Sequence, residues 1–151
     1  MDEFQRRRGL RFALRVIDHT AVWFRKDNST YGPTRNWQAL WTAAEMAEQG
    51  GRRPQAERAA SAVLRNAGFG ANVLHRTGHS LGESVHGNGV NMDDYETHDD
   101  RRLLAGTGFT IEPGLYFDDF GVRSEINMLV RDRDAIVTGP VQTEIVTLGK
   151  R

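Results

Sequence analysis

The sequence predicts an α+β domain. Three observations carry that prediction: two stretches of helical periodicity lie next to each other in mid-chain, short β-prone runs fill the last third, and no repeat or long linker interrupts them. Helices grouped before strands, rather than strict alternation, set this pattern apart from parallel α/β folds.

Residues 10–24, LRFALRVIDHTAVWF, are apolar and rich in β-formers with arginines interleaved, and read as one or two strands. The polar RKDNSTYGPTRN that follows contains a Gly-Pro pair and reads as a loop. In WQALWTAAEMAEQ, Trp37, Leu40, Trp41, Ala44 and Ala47 recur at helical spacing, and Gly50-Gly51 stops the run, which predicts a helix over 37–49. PQAERAASAVLRNAG opens on a proline and closes on Gly68. It sets Ala59, Ala60, Val63 and Leu64 on one face, which predicts a second helix. Residues 109–113, 114–117, 122–130 and 135–137 are β-prone runs divided by Gly, Asp and Pro, and predict an antiparallel meander.

A chain of 151 residues suits one domain with a real core. Twenty basic and twenty acidic side chains leave no net charge, so no whole-molecule field draws in nucleic acid or an anionic membrane. With no cysteine there is no disulfide, thiolate ligand or cysteine nucleophile, and a metal would need His, Asp and Glu. No apolar run approaches the roughly 20 residues of a membrane helix, and no signal-peptide core follows Met1. The expectation is a soluble, cytoplasmic protein. The arginine-rich opening MDEFQRRRGLRFALR reads as a solvated basic start, since Asp2 and Glu3 argue against an organellar presequence.

The chemistry concentrates in HRTGHSLGESVHG, residues 75–87, with three histidines and three glycines. A phosphate cradle would need GxGxxG or a Walker A lysine, and neither is present. A simple turn accounts for the glycines but not for His75, His79 and His86. A divalent metal accepts imidazole nitrogen and carboxylate oxygen together. Glu112 in GFTIEPGLYF and Glu125 in GVRSEINMLV lie inside apolar runs, where an ionised carboxylate is costly unless paired or coordinated.

Together, GHSLG, FTIEPGLYF and GVRSEINMLV resemble the pita-bread metallopeptidases, the family of methionine aminopeptidase, proline-specific aminopeptidase and prolidase, and most closely the proline-specific branch. The resemblance covers residues 56–137. It implies an α+β domain of two related halves, with a two-metal site at the centre of a curved antiparallel sheet. By motif, His79, Glu112 and Glu125 fall on the family's metal ligands, and Asp18 in VIDHTAVW on the first of its two aspartate ligands. His86 falls on the histidine that contacts substrate and stabilises the reacting carbonyl, and His75 and Arg123 on positions lining the substrate pocket. Arg123 and Glu125, two apart on a strand, share a face. The implied reaction is release of an N-terminal residue next to proline, by attack of a hydroxide bridging two metals about 3.5 to 4 Å apart. Glu112 is then ligand and proton shuttle, and His86 a donor to the developing oxyanion. Up to two divalent ions are implied, manganese foremost, with cobalt or zinc as options.

The chain departs from that pattern at the second aspartate. STYGPTRNW aligns with the strand that should bear it, and Pro33 stands in its place, with neither a coordinating side chain nor a ladder N–H. Residues 1–36 thus read as a divergent or truncated remnant of the first half, and 37–151 as the second half of the catalytic domain. An open sheet edge invites association, with a homodimer as the simplest product. Three readings remain: a working peptidase acting on a peptide substrate, a peptide-binding module without turnover, and a truncated product with no settled function. Elsewhere, NMDDYETHDDRR lacks EF-hand spacing and reads as a solvated loop. Asn88 and Asn91 read as turn residues, and the final TLGKR as a frayed end.

Overall fold

The structure, a computed structural model, describes residues 11–13, 22–24, 31–48, 53–118 and 121–141. Two helices, α1 (Tyr31–Glu48) and α2 (Arg53–Asn66), pack on each other. Their buried faces are mostly alanine (Ala39, Ala43, Ala44 and Ala47 on α1, Ala56 and Ala60 on α2), so the backbones approach closely. Gly68, at a φ of 89°, ends the second helix in the left-handed conformation that favours glycine.

The loop reading of residues 25–36 is corrected over its second half, because α1 already begins at Tyr31. Pro33 therefore lies in the first turn of a helix and not on the expected strand. Proline is at home there, since the first-turn N–H groups have no intrahelical partner to lose. The helix runs through the 36/37 boundary. Asp18 lies outside the described residues.

Residues 10–24 contribute two strands, β1 (Arg11–Ala13) and β2 (Val22–Phe24), paired antiparallel. The remaining strands are β3 (Ser80–Leu81), β4 (Gly108–Ile111), β5 (Gly114–Tyr116), β6 (Gly121–Arg123), β7 (Ile126–Val130) and β8 (Ala135–Thr138). They form two four-stranded sheets, ordered β1-β2-β6-β5 and β3-β4-β7-β8, and every pairing is antiparallel. Leu40, Leu64, Phe109, Ile111, Leu115 and Met128 join helices and strands in one apolar core.

The expected meander is corrected too. The β-prone run 122–130 is two strands in different sheets, and the chain passes between sheets at Glu112–Pro113 and again at Ser124–Glu125. Pro113 has no N–H to offer a ladder, so the break falls where the backbone cannot pair on both sides. The register survives the break: Ile111 pairs with Ile126 before it, and Gly114 with Arg123 after it. By that count Glu112 stands opposite Glu125, and Pro113 opposite Ser124.

Candidate functional site

Three strands carry the candidate ligands. Glu112 follows β4 and Glu125 precedes β7, and β4 and β7 are neighbours. On the other side of β4, Ser80 pairs with Phe109. Continuing that register sets His79 against Thr110, whose N–H donates to the His79 carbonyl at 2.8 Å, and Thr77 against Glu112, whose N–H donates to the Thr77 carbonyl at 2.6 Å. His79, Glu112 and Glu125 are buried, with 5, 7 and 8 % exposure.

Gly78 makes this approach possible. A Cβ there would collide with the Thr110 backbone carbonyl, so only glycine lets the His79 segment lie against β4.

His79 Nδ1 bonds the Ser80 carbonyl at 3.0 Å, which puts the proton of the neutral ring on Nδ1 and leaves the Nε2 lone pair free. Nε2 faces Glu112 Oε1 at 3.4 Å, so the free ring nitrogen and one carboxylate oxygen point at the same place. Glu125, opposite Glu112, has its pKa pushed up to about 8, first by burial and then by the charge on Glu112, with Arg123 opposing both. Carboxylates directly across a ladder repel unless a cation lies near. Arg123 supplies part of that charge, bonding Glu112 Oε2 at 3.1 Å. Among the described residues, no group of three His, Asp or Glu side chains is placed to hold a metal ion. In chemistry, the donor set of one imidazole and two carboxylates fits a divalent metal.

Beside the glutamates lies a second cluster. Arg123 Nε and its NH2 group donate to the Tyr116 hydroxyl oxygen at 3.1 and 2.8 Å, and that hydroxyl donates to His75 Nε2 at 2.9 Å. His75 Nδ1 bonds the Arg76 carbonyl at 2.6 Å, which fixes Nε2 as the acceptor. Burial, and then the charge on Arg123, lowers the His75 pKa, which favours the neutral ring. Gly114 leaves room for the cluster, since a Cβ there would meet His75 Nε2 at 2.6 Å and the Tyr116 hydroxyl at 2.9 Å. His86, exposed, lies over His79 with ring centroids 4.2 Å apart.

The structure thus gathers His75, His79, His86, Glu112 and Arg123 around one locus, with Glu125 across from Glu112. Tyr116 and Asn36 escaped the sequence reading. Tyr116 shares the run GLYF with ordinary core residues, and Asn36 gave no signal at all. Asn36, fully buried on α1, donates through Nδ2 to the Pro113 carbonyl at 2.9 Å and the Ser124 Oγ at 3.1 Å. On the histidine side, the buried Glu57 of α2 accepts from the Thr77 N–H at 3.0 Å and the Ser61 hydroxyl at 2.7 Å. Burial raises its pKa more than these bonds lower it.

The acidic loop 91–102 is only partly solvated, which corrects its reading. Asp93 is buried, its Oδ1 accepting from the N–H groups of Tyr95 and Glu96 and its Oδ2 from the Thr97 hydroxyl. Asp99, also buried, accepts from Asn91 N–H and from the Arg101 guanidinium, which holds its pKa down at about 2. Asn91 Oδ1 in turn accepts from the Ser80 N–H at 3.0 Å, tying the loop to the strand beyond His79.

Comparison with known proteins agrees with this layout. Among curated relatives, one named "Probable dipeptidase PepE" from Mycobacterium tuberculosis is 32% identical over 113 residues, which are 74% of this chain and 29% of that protein. The Xaa-Pro dipeptidase of Lactobacillus helveticus is 34% identical over 89 residues, 58% of this chain and 23% of that one. Among solved structures, a prolidase from Thermococcus sibiricus superposes with a TM-score of 0.72 at 27% identity, covering 85% of this chain and 34% of that one. An X-Pro aminopeptidase from Thermotoga maritima, at 23% identity and a TM-score of 0.71, shares the fold over 83% of this chain and 35% of its own. The chain therefore spans about a third of the length of the proteins it matches, and its α+β architecture is that of the pita-bread fold. The family model described as Metallopeptidase family M24 matches residues 17–132, and the chain belongs to that family.

Proposed function

We propose that the chain carries the histidine-and-glutamate part of a metal-dependent peptidase site acting on peptides next to proline, with residues 37–151 forming the second half of the catalytic domain. One observation carries the reading. His79 Nε2 faces Glu112 Oε1 at 3.4 Å, and Glu125 lies opposite Glu112 in register. His79, Glu112 and Glu125 would hold a divalent ion, manganese first among those to test, with Asp18 as the ligand from the first half. When bound, such an ion supplies charge that polarises a peptide carbonyl and activates water.

The remaining roles fall to the chain's own side chains. Glu112 receives the proton of the attacking water and passes it to the leaving amine. His86, exposed above His79, donates to the carbonyl oxygen as its charge grows. The neutral His75, Tyr116 and the partly exposed Arg123 line the wall of the peptide cleft, with Arg123 the group suited to a substrate carboxylate.

The ion pair of Arg123 with Glu112 favours a second reading, a peptide-binding cleft without turnover, because it satisfies Glu112 without a metal. Hydrolysis of an Xaa-Pro dipeptide with added manganese, run beside Glu112→Ala, separates the two. The peptidase reading expects turnover that this substitution abolishes, and equal rates for both proteins would remove it.

A further inference from the structure

We propose that Asn36 is the positioning residue of the glutamate pair: one buried side-chain amide on α1 sets the spacing of the two strand junctions that carry Glu112 and Glu125. The inference rests on the metal reading above, and deepens it.

The junctions need such a tie. Where the ladder passes from one sheet to the other, Ser124 N–H reaches the Pro113 carbonyl at 3.4 Å, a long and weak link. Pro113 contributes no N–H of its own. Both hydrogens of the Asn36 amide are spent here, one on the Pro113 carbonyl and one on the Ser124 Oγ. These two residues are the immediate neighbours of Glu112 and Glu125. A rigid planar group therefore ties one carboxylate-bearing segment by its backbone, at Pro113, and the other by a neighbouring side chain, at Ser124, to one point on a helix.

Packing does not account for an amide at this place. Its Oδ1 is buried with no hydrogen-bond partner among the described residues, a cost that leucine would avoid. An aspartate would set an oxygen against the Pro113 carbonyl, and a serine has one hydrogen for two acceptors. Asparagine is the residue of this size with two donors on one atom. Groups that orient metal ligands from behind commonly matter ten- to a hundredfold in metal affinity.

The test is calorimetric titration of the full chain with Mn2+, for the wild type, Asn36→Ala, Ser124→Ala and the double variant. Amide hydrogen exchange at Glu112 and Glu125 is measured alongside, without metal. Asn36→Ala is expected to weaken Mn2+ binding about tenfold, and Ser124→Ala less. The double variant should be no worse than Asn36→Ala alone, since both remove one linkage. Exchange should accelerate at both glutamates while the β7–β8 amides keep their protection. Unchanged affinity in both single variants, or exchange rising equally across β7–β8, would overturn the inference. If Asn36→Ala does not fold, Ser124→Ala carries the same two readouts. A wild type that takes up no Mn2+ removes the metal reading and leaves exchange to decide: local acceleration supports the tie, and none refutes it.

Discussion

The two sides of the site are held by different helices with opposite chemistry. On the glutamate side, α1 presents a neutral amide that donates; on the histidine side, α2 presents a carboxylate that accepts. The backbone left over at each place explains the contrast. Around Pro113 the weakly held group is a carbonyl, reached from the strands only by the Ser124 N–H at 3.4 Å. At Thr77 the carbonyl is already taken by the Glu112 N–H, and the unclaimed group is an N–H. Each helix supplies the complement of what the strands leave unpaired or weakly paired, as buried backbone polar groups require. The cost differs as well, because Glu57 buries an ionisable group while Asn36 does not.

The comparison can be broken at several points. Glu112→Ala should have the largest effect, removing Mn2+ binding and any Xaa-Pro hydrolysis; a titration that still shows near-native affinity would break the glutamate side altogether. Gly78→Ala comes next, since the new methyl must push the histidine strand off β4, at about 3 kcal/mol. Chemical denaturation reads this, and native stability would mean the contact is slack. Glu57→Ala should cost about 2 kcal/mol by stranding the Thr77 N–H, whereas Glu57→Gln keeps an acceptor oxygen and recovers most of it.

The pH dependence sharpens the contrast. The Glu57 pKa is raised above 4.5 in the fold, so its contribution is full below that value and fades as pH rises through the raised one. Glu57→Gln should flatten this part of the stability profile, and an unchanged slope would show that Glu57 does not titrate there. Asp99 runs the other way and gives the smallest effect. Its pKa is depressed to about 2, so its contribution is present above 3.8 and is lost as pH falls toward 2. Asp99→Asn should raise the acid-unfolding midpoint, and an unmoved midpoint would assign acid sensitivity elsewhere.

Much of this was legible in the sequence. The periodicity of WQALWTAAEMAEQ and PQAERAASAVLRNAG located both helices, and the shared parity of Arg123 and Glu125 anticipated two side chains in reach of Glu112. The first turns of α1 were not legible, because YGPTRN has no apolar period, and the contacts that Asn36 makes there are tertiary. Nor was the split of 122–130 into two strands: the run is β-prone with no Gly or Pro to divide it, and only its partners, β5 on one side and β4 on the other, decide where it divides. The burial of Asp93 and Asp99 was hidden for a related reason, since an acidic run reveals nothing of the N–H groups folded around it.

The unbroken register across Glu112–Pro113 and Ser124–Glu125 makes the two junctions a matched pair in length. Deleting one residue from either would turn its carboxylate to the opposite surface and shift every partner beyond it by one rung. Removing a residue from both would bring the remaining chain back into step, so in this family the two segments should gain or lose residues only together.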